Sequence, residues 1–247
     1  MIKTFQAYSV LKVSCFFMNK ISIIIPILNE SETIGRLLQH LFDNSSSNNI
    51  SEIIVVDGGS TDNSKTLVGT FPSVILMNST KGRAKQMNFG AKNAKGNILF
   101  FLHADSFPPK YFDQLIIDEV DKGNEAGCFR MKFDSNHWWL CSASWFTRFN
   151  WRACRGGDQS QFITKKLFDA IGGYDERFVI YEDNILIQEL YNRNQFVVIS
   201  KTLKTSARLY KKHGVWKLQY HFGMIYFKKW KGADADELYA YYKKYIC

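Results

Sequence analysis

The residues best placed to do chemistry are carboxylates at abrupt changes of polarity. Asn97 to Pro109 reads NILFFLHADSFPP, an apolar run that meets His103, Ala104 and Asp105 before two prolines stop it. An unpaired carboxylate at the rim of a core is costly, so Asp105 is satisfied either by neighbouring donors, as the cap of a following helix would be, or by a bound positive group. Asp57 ends the run SEIIVVD ahead of Gly58 and Gly59, and Glu182 and Asp183 stand together in YED. A carboxylate can hold a hard cation or take a proton from a hydroxyl, and small glycines let a ligand approach the backbone. The bland alternatives are a turn capped by Asp57 and an acidic helix start at Glu182 and Asp183, worth about 0.3 to 1 kcal/mol through the helix dipole. Five cysteines, at 15, 128, 141, 154 and 247, form no C-x-x-C pair. Zinc is not indicated, and the odd count suits a reducing, cytoplasmic setting.

Alternating elements must position these groups. ISIIIP from Ile21, SEIIVVD from Ser51, SVILMN from Ser73 and NILFFLH from Asn97 are short β-branched or apolar runs. Such runs suit strands buried on both faces. Between the first two, Ile34, Leu37, Leu38, Leu41 and Phe42 recur at helical spacing, with Asn29 or Ser31 as the expected N-cap. KGRAKQMNFGAKNAKG reads as a helix ending at Gly96, followed by a helix over Lys110 to Lys122 and a strand over Ala126 to Phe133. Further helices are expected from Lys165 and from about Glu182, whereas the aromatic HWWLCSASWFTRFNW shows no clear period. Strand alternating with helix predicts a three-layer α/β/α fold around a mostly parallel sheet, with ligands at the carboxyl ends of the strands.

The chain has 247 residues, 46% hydrophobic and 22% charged, enough for one large globular unit rather than a disordered chain. Its longest apolar runs fall well short of the roughly 18 residues a spanning helix needs. Three regions are expected: an extension over residues 1–20, whose first seventeen read as an upstream extension or a flexible arm and not a signal peptide, a main domain over 21–213, and a helical tail over 214–247. Eleven Lys or Arg against three acids from Lys201 onward place +8 of the net +9 in the last 47 residues. This argues for a basic C-terminal face and against a whole-surface nucleic-acid binder.

PILNE after the first strand, VVDGGSTD after the second, LHADS after the fourth, then IGGYDE and YED occur in that order. Together they resemble family 2 glycosyltransferases of the GT-A fold, and GRAKQMNFGA, LHADSFPP and TSARLYKKHG resemble a small bacterial branch of them. The resemblance covers about residues 21 to 215. It implies transfer of a sugar from a nucleotide-diphosphate donor, a UDP- or GDP-sugar, to an acceptor hydroxyl, inverting by single displacement. The leaving diphosphate gains charge, so the site needs a divalent cation, Mg2+ or Mn2+, or fixed positive groups.

The resemblance assigns the donor to Pro26, Leu28, Asn29, Glu30, Asp57, Gly58, Lys81, Arg83, His103, Ala104 and Asp105. The metal falls to Asp105 with His103, and the catalytic base is Asp183. Glu182 with Gly156, Gly157, Asp158 and Gln159 falls on the acceptor side. His103 stands where the family has the first aspartate of D-x-D, so it is a metal ligand, a hydrogen-bond partner of the nucleotide or a core histidine. Lys81 and Arg83 contact base or phosphate, or line a solvated helix face.

The acceptor is unnamed by the sequence; a lipid-linked one would explain the tail. Val215, Leu218, Phe222, Ile225 and Trp230 form an apolar strip that rests on an anionic membrane or packs as a closing helix, with Trp216, Tyr220, Tyr226 and Phe227 suited to headgroups. The rival reading is an inactive fold of this type whose basic tail binds anionic lipid or nucleic acid. His103 favours that rival, and Asp105 together with Asp183 opposes it.

Overall fold

The computed structural model describes residues 18–156 and 159–246, so the expected N-terminal arm lies outside the described residues. Strands β1 (Ile21–Ile27), β2 (Ile50–Asp57), β3 (Val74–Asn78) and β4 (Ile98–Phe101) run parallel. They are linked by α1 (Ile34–Asn44), α2 (Ser64–Gly69) and α3 (Arg83–Asn93). There follow β5 (Ser106–Phe107), α4 (Phe112–Asp121), β6 (Ala126–Phe133), α5 (Trp138–Phe146), β7 (Gln161–Thr164), α6 (Lys165–Ile171), α7 (Glu182–Asn192) and β8 (Val197–Thr205). Helices α8 (Arg208–His213), α9 (Val215–Trp230) and α10 (Ala235–Tyr245) close the chain. The sheet order is β3-β2-β1-β4-β7-β6-β8-β5. Beyond β4 the sheet turns mixed: β7 is antiparallel to β4 and to β6, and β8 is parallel to β6.

Alternation along β1 builds the three layers. Ile21, Ile23, Ile25 and Ile27 pack with Leu37 and Leu41 of α1 and Phe112 and Ile116 of α4, while Ile24 faces Met87 of α3 with Leu99, Phe101 and Leu186. Helix α3 comes unusually close. A side chain at Gly90 would place a Cβ 2.5 Å from Ile24 Cγ2, so only glycine allows this approach. The approach lets buried Gln86 donate from Nε2 to the carbonyls of Ile27 and Val56, at 2.8 and 2.7 Å, splinting the ends of β1 and β2.

Strand β1 pairs with β2 on one side through Asp57, but with β4 only as far as Ile24. Pro26, which lacks an N–H, shares the parity of Ile24 and falls on the side that β4 has already left. The gap between the ends of β1 and β4 is the switch point of the sheet, where open α/β folds bind ligands.

The expected cap of α1 is corrected. Thr33 is the N-cap residue, without a side-chain cap bond, because Asn29 and Ser31 are engaged across the neighbouring loop. Helix α3 stops at Asn93 rather than Gly96, and α4 begins at Phe112 after a left-handed Tyr111 (φ 59°). The aromatic segment without a clear period is helix α5, whose Leu140 is buried against Met131 and Phe133 of β6.

The tail strip is turned inward. Leu218 and Ile225 of α9 are buried with Phe178, Leu238 and Ile246, and Phe222 packs on the same cluster. Val215 packs with Leu140. This is the closing-helix arrangement. Trp230, expected in that strip, is 80% exposed, because it falls on the opposite side of the helix.

Candidate active site

The loops after β1 and β2 are zipped together. Asn29, left-handed at φ 57°, accepts from the N–H of Thr61 at 2.8 Å and donates its own N–H to Ser60 Oγ at 2.9 Å. The N–H of Glu30 donates to Ser64 Oγ at 2.8 Å, and that of Ser31 to Asp62 at 3.0 Å. The Ser64 hydroxyl, then Ser31 and two backbone N–H groups, hold the Asp62 carboxyl well below the usual carboxylate range against the opposing effect of desolvation. Asp57 is 1% exposed, and its carboxylate accepts from the N–H groups of Gly59 and Ser60 at 3.0 and 3.1 Å. Asp57 thus shapes the loop after β2. Gly58 also packs closely, since a Cβ there would lie 2.8 Å from Gln86 Oε1. Leu28 is half-buried on the same loop.

Chain departing from the end of β4 carries His103, Ala104 and Asp105. Ala104 is buried, the N–H of Ser106 turns back to the carbonyl of His103 at 3.0 Å, and the carbonyl of Asp105 accepts from the N–H of Ser206 at 3.2 Å. Asp105 is therefore fixed between the end of β4 and the start of α8. Arg208, at that start, binds Glu30 with contacts of 3.0 and 3.1 Å. The Glu30 bond, and more weakly the charges of Glu30, Asp105 and Glu32, raise the pKa of Arg208 further. A cation thus stands beside Asp105, one that sequence reasoning missed. It lies in the TSARLYKKHG stretch, but no periodicity singles it out.

Glu182 and Asp183 occupy the first turn of α7, 0% and 3% exposed. The turn is entered through a left-handed Tyr181 (φ 74°), a strained conformation for an aromatic residue. Tyr181 is held edge-on by Tyr226 of α9 at 5.2 Å, and the Tyr226 hydroxyl donates to Asn184 at 3.1 Å. The tail therefore buttresses the carboxylates. Arg83 joins the halves: Nε donates to Glu182, Nη2 to Asp183 at 2.8 Å, and Nη1 lies 3.5 Å from His103 Nδ1. Tyr174, another residue the sequence did not single out, is buried behind them against Phe101 and Phe168. Burial, then the charges of Asp183 and Glu182, push its phenol well above the usual range, so it stays protonated.

Other expected residues are placed differently. Lys81 is exposed before α3 and is not drawn into this network. Gln159 is buried and spends its amide on the Cys154 carbonyl at 3.0 Å and the Cys128 thiol at 3.5 Å, so it supports its loop from inside. Gly156 is half-buried beside it, and Gly157 and Asp158 lie outside the described residues. Burial raises the pKa of Cys128 against the pull of Arg155, which makes it a neutral hydrogen-bonding group. Among the described residues no three His, Cys, Asp or Glu side chains gather as a metal cluster.

The sequence matches Glycosyl transferase family 2 over residues 22–175. An undecaprenyl-phosphate 4-deoxy-4-formamido-L-arabinose transferase of Proteus mirabilis is 24% identical over 192 residues, covering 73% of this chain and 55% of the relative. The chain thus spans about half the length of that relative. Among solved structures, TarS of S. aureus with UDP-GlcNAc superposes with a TM-score of 0.64 at 21% identity, over 76% of this chain and 58% of that one. The mannosyltransferase PcManGT of Pyrobaculum calidifontis with GDP-Man and Mn2+ gives 0.64 at 16% identity, over 91% of this chain and 68% of that one. These likenesses establish the three-layer fold as GT-A.

Proposed function

The chain belongs to glycosyl transferase family 2, and on that premise we propose that it moves a sugar from a UDP- or GDP-sugar to an acceptor hydroxyl with inversion. The observation that carries this reading is the meeting of two carboxylate sites across one crevice. Asp57 and the His103 to Asp105 turn follow β2 and β4, and Asp183 heads α7, where Arg83 links it to His103 of that turn. Asp183 takes the acceptor proton as the hydroxyl attacks the anomeric carbon.

A carboxylate and an imidazole two residues apart fit a hard cation that brings phosphate oxygens and water as its other ligands. Asp105, with His103, would hold it, and the Mn2+ in the GDP-Man complex of PcManGT supports that assignment. When bound, the ion neutralises charge developing on the diphosphate. Arg208 adds positive charge beside Asp105.

The Proteus relative is named for undecaprenyl phosphate, which supports a lipid-borne acceptor here. Trp216, Tyr220, Phe227 and Trp230 are exposed and recur along one side of α9, opposite buried Leu218 and Ile225. Trp138 of α5 extends this side, 5.7 Å from Trp216. With exposed Lys217, Lys231, Lys243 and Lys244 nearby in sequence, this aromatic side suits the headgroup level of an anionic bilayer better than the inward strip does. No helix among the described residues is long and apolar enough to cross a membrane.

Thermal unfolding with UDP, GDP and their sugars, with and without Mn2+, tests the donor reading. A ligand at about 100 times its Kd stabilises by roughly 2.7 kcal/mol. Stabilisation that Mn2+ strengthens in the parent and not in Asp105→Asn is expected. No stabilisation by any nucleotide would sink the donor reading.

A further inference from the structure

Arg83 is committed to the acceptor side of the crevice although it opens α3, on the donor side. Its three guanidinium nitrogens meet Glu182, Asp183 and His103, and its side chain is 35% exposed over two carboxylates that are almost wholly buried. Glu182 Oε2 is buried without a hydrogen-bond partner. One guanidinium therefore faces two acidic groups, and an oxygen that spends lone pairs on a guanidinium is poorly placed to take a proton. A diphosphate competes well for the same fork, because it offers paired oxygens of higher charge. The His103 contact puts Arg83 beside the turn that carries Asp105, within reach of where that diphosphate belongs.

We propose that Arg83 is a positioning residue that couples the two halves of the reaction: it holds Asp183 while the donor site is empty and exchanges that carboxylate for the donor's diphosphate. The base is then released only when there is a donor to attack. In the step that follows, Asp183 takes the proton of the acceptor hydroxyl and the hydroxyl oxygen bonds to the anomeric carbon. The bond from that carbon to the diphosphate oxygen breaks, and its electron pair leaves with the nucleoside diphosphate. This inference rests on the nucleotide-sugar reading above.

A double-mutant cycle on the full chain tests it, with UDP and GDP as the calorimetric probes. Asp183→Asn should tighten binding of the preferred diphosphate about fivefold or more, since Arg83 no longer has to be drawn from an ionised partner. In an Arg83→Gln background the same change should alter binding by less than about twofold. If Arg83→Gln fails to fold, Arg83→Lys carries the comparison: its single ammonium keeps the charge but cannot bridge two carboxylates, so the gain should again shrink. Equal gains in both backgrounds would mean that Asp183 acts through its field alone, and no gain would mean that nothing is exchanged; either overturns the coupling while leaving the donor reading intact. A parent protein that binds neither UDP nor GDP would bring down the donor reading and the coupling together.

Discussion

The proposed donor side and the proposed acceptor side are built in opposite ways. On the donor side, carboxylates stand at the ends of buried parallel strands, and their loops are locked by backbone N–H groups a few residues away, as in Asp57 with Gly59 and Ser60. On the acceptor side, Asp183 depends on Arg83, 100 residues earlier, and on a tail helix that clamps the strained Tyr181. The first arrangement is held by several hydrogen bonds within and between adjacent loops. The second can rearrange by exchanging a single ion pair. On the proposed reading, this division gives the donor a seat held by local bonds and the base a partner that a diphosphate can displace.

The largest effect that separates the two sides is expected from Asp183→Asn. Turnover should fall by about 10² to 10⁴, the usual contribution of a general base, while donor binding persists. Initial rates with a working acceptor check this, and parental turnover would remove Asp183 from the chemistry. Next in size are two helical glycines. Gly90→Leu should destabilise by about 1 to 3 kcal/mol, because α3 has no room above Ile24. Gly223→Ala in α9 meets nothing within 4 Å and should stabilise by up to about 1 kcal/mol. Urea unfolding of both variants measures the contrast, and equal costs would erase the difference claimed between the tightly packed donor half and the open face of the tail.

Smaller again is the surface effect of Trp138→Ser with Trp216→Ser. The pair should weaken sedimentation with anionic vesicles severalfold at low salt and leave nucleotide binding alone; the parent's binding should fade at high salt, with a Debye length of about 3 Å at 1 M. Vesicle binding that ignores both the salt and the substitutions would leave the aromatic face without this partner. The smallest effect concerns Asp62, whose carboxyl is held below its ordinary value of 3.8 in the folded chain. Its contribution is present above that value and is lost as pH falls below it, through the depressed folded-state value. The stability gap between the parent and Asp62→Asn should therefore close as pH is lowered below about 4. A gap that stays constant to lower pH would detach Asp62 from the loop zipper.

Much of the donor side was legible because its signals are local. The β-branched runs marked β1 to β3, the apolar ILFF run marked β4, and each carboxylate lies within a few residues of its strand. Loop chemistry was less legible: Asn29 and Ser31 look like helix caps in isolation, yet the neighbouring loop takes both. Helix α5 escaped notice because tryptophans and a phenylalanine on several of its faces blur the apolar period on which helix reading depends. Strands β7 and β8 were not singled out. Their partners are far away in the chain, and β8 alternates too irregularly to stand out.

By itself the sequence determined the alternation of strand and helix, the order of the motifs and the types of residue offered for chemistry. Hydrophobic period and motif spacing are properties of neighbours along the chain, and they survive without a fold. Which groups touch was decided only by tertiary structure. The pairing of Arg83 with Glu182 and Asp183, the placing of Arg208 beside Asp105, and the choice of which side of α9 faces solvent all follow from how the sheet brings distant segments together. Ion pairs form by proximity in space, and no short-range pattern encodes a neighbour 100 residues away.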